Sequence, residues 1–334
     1  MNIFEDYLQP IRKAIAADEL TKSYSNFAGS GVRNKINLRA LNEAVPEKRL
    51  LPSLEQFANA VGLVPDFTQK LGSHPDFAYL KHTEETEEHY IVSMFVDVRR
   101  STQLYGRYEP ATVFVINNAI QRAAIHTALI FGGYVHRLQG DGLFAYFGGK
   151  NMPIADAVSR ALQFASVYSY FVKNDLKNVF EQQGIEQIYT RIGVDLGYNE
   201  DVVWAMAGIG EISEVTTFSL HTNLASKMQA NAVSNGIVIG DHVKKEAPAL
   251  HDFFTPVCQR TGKETDRYIF EIPKKGFRYT QHDFDWLTFL KRQDYIATDL
   301  LGNLQLKSKQ AVMPNRNLAN LAPIAAVSKP YYNF

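Results

Sequence analysis

Residues 91–98 read IVSMFVDV, and residues 132–148 read GGYVHRLQGDGLFAYFG. Both are runs of β-branched and aromatic residues carrying one isolated carboxylate, Asp97 near the end of the first and Asp141 in the glycine turn of the second. A lone carboxylate among strand formers is costly to bury unless something positive compensates it. Two of them, each flanked by strand and turn, point to a divalent-cation site with oxygen ligands, the kind Mg²⁺ uses when it holds a triphosphate. Taken singly, either Asp would serve equally well as a turn starter.

Outward from these stretches, the periodicity predicts a strand over 90–97 and a helix from about Glu109, with Pro110 in its first turn and Gly132-Gly133 ending it. A hairpin follows, 134–139 and 143–147, because Asp-Gly between apolar runs is a strong hairpin signal. A second long helix is expected over 153–183, then strands near 188–197, 202–209 and 214–219. A third helix starts near His221, and strands follow at 236–240 and 267–272. This β-α-β-β-α-β order predicts an α+β, split βαβ (ferredoxin-like) sheet with helices packed on one face.

The flanks read as helical. Ile3, Tyr7, Ile11 and Ile15 recur at helical spacing, as do Leu51, Leu54, Phe57 and Val61, so residues 1–85 form a helical N-terminal extension. Within it SNFAGSGVRNK (25–35) has loop composition. The core is assigned to 86–275. Residues 276–334 form a C-terminal segment, helical from Asp285 to about Leu301 and ending in a tail without a clear core face.

Of 334 residues, 46% are hydrophobic, enough for a full core, and 35 basic residues balance 35 acidic ones. That balance gives no electrostatic footprint for nucleic acid or an anionic membrane. The single cysteine, Cys258, excludes an intrachain disulfide and a cysteine zinc cluster. No apolar run approaches the roughly 18 residues of a membrane span. The first twenty residues lack the apolar core of a signal peptide, so a cytoplasmic protein is expected. His126, His136 and His221 show no ligand spacing, and neither a Walker loop nor a nucleophile elbow is present.

Four stretches in order resemble the class III nucleotidyl cyclases: FVDVRRST (95–102), the glycine hairpin (132–148), RIGVDLG (191–197) and TTFSLHTNLASKMQ (216–229). The resemblance covers about residues 88–272. It implies transfer of a nucleotide's α-phosphorus to its own 3′ oxygen, with two Mg²⁺ or Mn²⁺ ions held by Asp97, Asp141 and the Val98 carbonyl. In the family an Asn orients the ribose and a residue four positions later neutralises the α-phosphate. Here these are Asn223 and Lys227, on one helix face, with Lys where Arg is usual. Lysine offsets charge but lacks the bidentate fork. Arg100, Ser101 and Thr102, turning into a helix, suit phosphate oxygens, although Arg99 and Arg100 would serve equally as a solvated pair. Lys263 resembles the family's late phosphate lysine, with Arg260 as the other alignment.

Cyclases that use ATP read adenine with a Lys and an Asp, and this chain has Arg137 and Thr217 at those positions. Arg137 shares a strand face with Val135 and Gln139 by period-two alternation, so Gln139 offers a second polar contact. A donor-only arginine suits carbonyl oxygens, which favours UTP over CTP, while a strand salt bridge would explain Arg137 without any base. An arginine here resembles the pyrimidine cyclases of bacterial anti-phage signalling (the Pycsar group). The resemblance implies cyclic UMP or cyclic CMP as product, a separate effector protein, and a homodimer in which metal carboxylates and transition-state residues meet from different subunits. An adenylate cyclase with a divergent pocket and a catalytically silent nucleotide-binding module are the alternatives.

Overall fold

A computed structural model of the chain describes residues 2–28, 49–300 and 302–307. Helix α1 (Glu5–Ala28) and α2 (Pro52–Val61) precede the first short strand, β1 (Thr86–Glu88). The core then runs β2 (Ile91–Arg99), α3 (Pro110–Ile130), β3 (Gly133–Gln139), β4 (Gly142–Phe147), α4 (Ile154–Tyr170), α5 (Lys177–Gln182) and β5 (Tyr189–Gly197). Between α4 and α5 the backbone passes through a π-helical turn, Phe171–Leu176, so the helix expected over 153–183 is present from Ile154 to Gln182 with a π turn within it. Next come β6 (Val202–Ile209), β7 (Ile212–Ser219), α6 (Leu220–Asn231), β8 (Gly236–Gly240) and α7 (Asp241–Glu246). The described chain ends with β9 (Phe254–Pro256), α8 (Val257–Thr261), β10 (Tyr268–Ile272), β11 (Phe277–Phe284), α9 (Trp286–Lys291), β12 (Ile296–Thr298) and β13 (Leu304–Leu306).

The central sheet has the order β10-β11-β8-β5-β2-β4-β3, with β9 on β11. Within it, β5-β2-β4-β3 is the fourth-first-third-second order of a split βαβ unit, so the expected α+β core is present. Alternation along β2 explains its two faces. Val92, Met94, Val96 and Val98 join α1, α2, α3 and α4 in one large core, while Ile91 and Phe95 face a second cluster around Trp204. The second cluster lies between the central sheet and a small sheet, β1-β6-β7.

Helix α6 sits on that second face, opposite the main helical layer. Gly193 of β5 makes this possible, since a Cβ there would lie 2.1 Å from the Ala225 carbonyl oxygen and 2.3 Å from the Gln229 nitrogen. The N-terminal extension is fused to the main core. Buried Asp18 of α1 accepts from Thr112 Oγ1 at 3.0 Å, and the Tyr7 hydroxyl meets His126 Nδ1 at 2.5 Å.

The C-terminal expectation needs correction. The helix expected from Asp285 to Leu301 is confined to Trp286–Lys291, and a hairpin of Ile296–Thr298 with Leu304–Leu306 follows it. Strand β11, beyond residue 275, pairs with β8 through Gln281↔Gly240 and His282↔Ile239. Its polar residues hid it: Gln281 and His282 are buried, and Gln281 is satisfied by Asp266 O at 2.8 Å and Asn231 Nδ2 at 3.2 Å. Of the stretch 25–35 expected as a loop, residues 25–28 belong instead to α1, and the remainder lies, like the tail beyond 307, outside the described residues.

Candidate active site

The register Val96↔Leu143 between β2 and β4 sets the two acidic residues side by side. Gly142 is required at the contact, because a Cβ there would stand 2.2 Å from the Val96 carbonyl oxygen and 3.3 Å from Asp97 Cα. The hairpin tip therefore presses Asp141 against the end of β2. Burial pushes the Asp141 carboxyl above its ordinary range, the Ser101 hydroxyl bonded to it works against that, and the charge of Asp97 adds to the rise. A half-buried carboxylate held beside a second one is a hard-oxygen donor pair that a divalent cation would relieve, so the residues fit Mg²⁺ or Mn²⁺.

Asp97 has a cationic partner within the chain. Arg191 of β5 donates to Asp97 Oδ2 from Nη2 at 2.5 Å and from Nε at 3.1 Å. Its Nη1 reaches Ala230 O, in the last turn of α6, at 3.3 Å. The guanidinium thus ties Asp97 to the helix that carries Asn223 and Lys227. Both of those residues are exposed on α6, and the Lys227 ammonium lies 5.8 Å from the Phe270 ring centroid.

The segment after Asp97 departs from the expected helix start. Arg100 takes a left-handed conformation at φ 69°, a 3₁₀ turn covers Ser101–Gly106, and α3 begins at Pro110. Ser101 is buried with its hydroxyl on Asp141, and Thr102 is exposed. The Arg100 guanidinium lies 3.6 Å from Glu186 and over the Tyr189 ring. Lys263 is exposed ahead of a second 3₁₀ turn, while Arg260 is ion-paired with Asp283 at 2.8 Å. The backbone of Val98 is paired with Thr190 of β5.

Around Arg137 the strand is not regular. A bulge falls between Val135↔Ala145 and Arg137↔Phe144, so His136 is an extra residue and the parity changes. Val135 packs in the helical core, whereas Arg137 stands opposite Phe144 of the second cluster, which corrects the expectation that Val135 and Arg137 share a face. Gln139, opposite Gly142 at the strand end, is exposed. Arg137 forms a two-point ion pair with Glu214 of β7: Nε donates to Oε2 at 2.6 Å, and Nη2 meets Oε1. Thr217 is nearly buried in a chain of hydroxyls, 2.9 Å from both Tyr146 and Thr222, and Thr222 is 2.8 Å from Ser93.

Sequence reasoning missed Arg191 and Glu214, because nothing in a single chain marks which distant strand supplies a partner. It also missed a cluster at the other end of β5. Buried Asp195 bonds His221 Nδ1 at 2.9 Å, and Asp201 lies 3.6 Å from His221 Nε2 and 3.9 Å from His242 Nδ1. Asp201, His221 and His242 are close enough to share an ion. Their imidazoles, however, stack at 4.4 Å with 29° between planes, and His242 Nδ1 is within 3.0 Å of Leu196 O. Stacked rings do not aim in-plane lone pairs at one point about 2 Å from each nitrogen, as a shared ion needs. Burial lowers the proton affinity of His221, but the hydrogen bond and charge of Asp195 reverse this and hold it above the ordinary histidine range. The cluster is a hydrogen-bonded clamp on the start of α6.

The split βαβ core, the paired carboxylates and the ordered motifs define the class: the chain belongs to the class III nucleotidyl cyclase family. Among curated proteins, it is 36% identical over 243 residues to the cytidylate cyclase of Staphylococcus aureus, covering 72% of this chain and 57% of that protein. It is 32% identical over 288 residues to a cytidylate cyclase of Escherichia coli, covering 80% of this chain and 61% of that one. The chain thus spans less than two thirds of the length of these curated relatives. Among solved structures, the adenylyl cyclase CyaB from P. aeruginosa is similar at 20% identity and a TM-score of 0.48, over 60% of this chain and 95% of that one. No family model matches the chain. Among the described residues, no helix is long and apolar enough to cross a membrane.

Proposed function

We propose that the chain is a pyrimidine nucleotide cyclase, converting a nucleoside triphosphate to its 3′,5′-cyclic monophosphate and pyrophosphate. The approach of Asp141 to Asp97 across Gly142 carries this reading, supported by the relatives' name. In the reaction the 3′ oxygen bonds to the α-phosphorus, the bond to the bridging oxygen breaks, and pyrophosphate leaves. Two Mg²⁺ or Mn²⁺ ions would supply Lewis-acid activation of the 3′ oxygen and charge neutralisation on the triphosphate. Asp97 and Asp141, with the Val98 carbonyl, would hold them. Asn223 would orient the ribose, and Lys227 would offset charge on the α-phosphate. Arg100, Thr102 and Lys263 are the cations and hydroxyl assigned to the phosphates, with Ser101 orienting Asp141.

Asn223 and Lys227 point to solvent on α6, which supports a homodimer in which they complete the partner's metal site. Cytidine is favoured over the uridine expected from Arg137 alone, because the curated relatives it matches are named cytidylate cyclases. Likeness to the Pycsar group supports a cytoplasmic second-messenger role in anti-phage defence, acting through a separate effector.

Incubating the purified chain with Mn²⁺ and each of CTP, UTP, ATP and GTP tests the reading. A cyclic pyrimidine is the expected product. A cyclic purine alone would refute the pyrimidine assignment, and no cyclic product would favour the silent module.

A further inference from the structure

We infer that Glu214 and Arg137 together form the base-reading edge, and that this edge selects cytosine over uracil. The inference rests on Arg137 facing the base, which belongs to the function proposed above. The ion pair itself was not part of that reading, and it changes what Arg137 can recognise.

Arg137 meets Glu214 side-on, through Nε and Nη2. A guanidinium has five N–H groups, and a carboxylate has lone pairs on both oxygens. Pairing uses some of each and leaves donors on Nη1 and Nη2 beside acceptors on the carboxylate. Arg137 remains 45% exposed and Glu214 22%, so the pair has an open edge. That edge offers an acceptor next to donors. Cytosine carries the complement, an N4–H donor beside the acceptors N3 and O2, and a carboxylate accepting from N4 is a recurrent cytosine contact. Uracil in the same pose sets O4 against the carboxylate, acceptor against acceptor. An arginine without Glu214 would offer donors only and would suit the two uracil carbonyls.

The surroundings preserve Glu214 as an acceptor. His136, on the side to which the bulge brings Arg137, lies 3.6 Å from Glu214 Oε2 but is fully buried and neutral, since burial holds its pKa down to about 3. The backbone at Glu214 is fixed on both sides, by the Ala207↔Glu214 pairing with β6 and by Val215 N donating to Gly72 O at 3.0 Å.

The test compares kcat/KM for CTP, UTP and the 4-deamino analogue of CTP (2-pyrimidinone ribonucleoside triphosphate) in the native chain and in Glu214→Gln. The native chain should prefer CTP and should lose at least about tenfold when the amino group is removed, the value of a good base contact. In Glu214→Gln the CTP/UTP ratio should fall by at least about tenfold, and CTP and its deamino analogue should become nearly equal. A native preference for UTP, an unchanged ratio in the variant, or native indifference to the amino group would overturn the inference. The analogue arm uses the native chain, so a variant that folds poorly does not blunt it. Cyclic UMP as main product would sink this inference and leave the pyrimidine cyclase standing. A purine product or none would remove both.

Discussion

Arg191 Nη2 lies 2.5 Å from Asp97 Oδ2, so the first of the two proposed metal carboxylates is held by a fixed cation of its own chain. That guanidinium orients Asp97 and opposes a second positive charge at the same oxygen. Arg191→Gln should therefore bind Mn²⁺ more tightly, by roughly fivefold for a partly exposed charge. Titration of the spectroscopic Mn²⁺ signal in the absence of nucleotide reads this directly. Unchanged or weaker Mn²⁺ binding would show that Arg191 supports the site without competing for it.

If metal carboxylates and transition-state residues come from different subunits, inactive variants should rescue each other. Asp97→Ala and Asn223→Ala alone should each lose most cyclase activity, about a thousandfold for the proposed metal ligand Asp97. Mixed and re-equilibrated in equal amounts, they should recover about a quarter of native activity, since half the dimers are mixed and each has one intact site. No recovery, with exchange verified by size and mass, would contradict the shared-site arrangement.

Gly193 sets the distance between β5 and α6. Gly193→Ala would place a methyl 2.1 Å from the Ala225 carbonyl oxygen and 2.3 Å from the Gln229 nitrogen, well inside contact distance. Both are backbone atoms and cannot rotate away, so α6 must shift. The expected cost is about 1–3 kcal/mol in denaturant unfolding, with cyclase activity falling further because Asn223 and Lys227 move with the helix. Native stability in this variant would mean the contact is looser than the structure places it.

His136 is buried without a hydrogen-bond partner for either ring nitrogen, and burial lowers its pKa to about 3. His74 is likewise lowered to about 4, burial again being the main cause. Unfolded histidines bind protons near pH 6.5, so the unfolded state carries more protons than the folded one below that pH. Stability is complete above about pH 6.5 and falls toward pH 4, by about 1.4 kcal/mol per pH unit for each histidine. His136→Leu should flatten that slope by about one proton in urea unfolding measured from pH 7 to pH 4.5. An unaltered slope would mean that the His136 ring is protonated in the fold.

Much of this molecule is legible in one dimension. The apolar alternation of 91–98, the Asp-Gly hairpin and the helix from Pro110 are local signals, set by side-chain period and turn chemistry, and each appears within a residue or two of its expected place. Strand β11 escaped notice because its buried Gln281, and Nε2 of its buried His282, bond to partners the sequence does not reveal. The bulge at His136 escaped for a related reason: an extra residue between two strands is visible only when both strands are laid side by side.

The sequence by itself determined the two carboxylates, the helix bearing Asn223 and Lys227, and the β-α-β-β-α-β succession of the core, because each follows from spacing along the chain. Tertiary structure alone decided the charges around them. Arg191 reaches Asp97 from a strand 94 positions away, and Glu214 reaches Arg137 from 77. Pairings at such separation depend on strand register and helix placement, and these are fixed by burial of the whole core and not by any local segment.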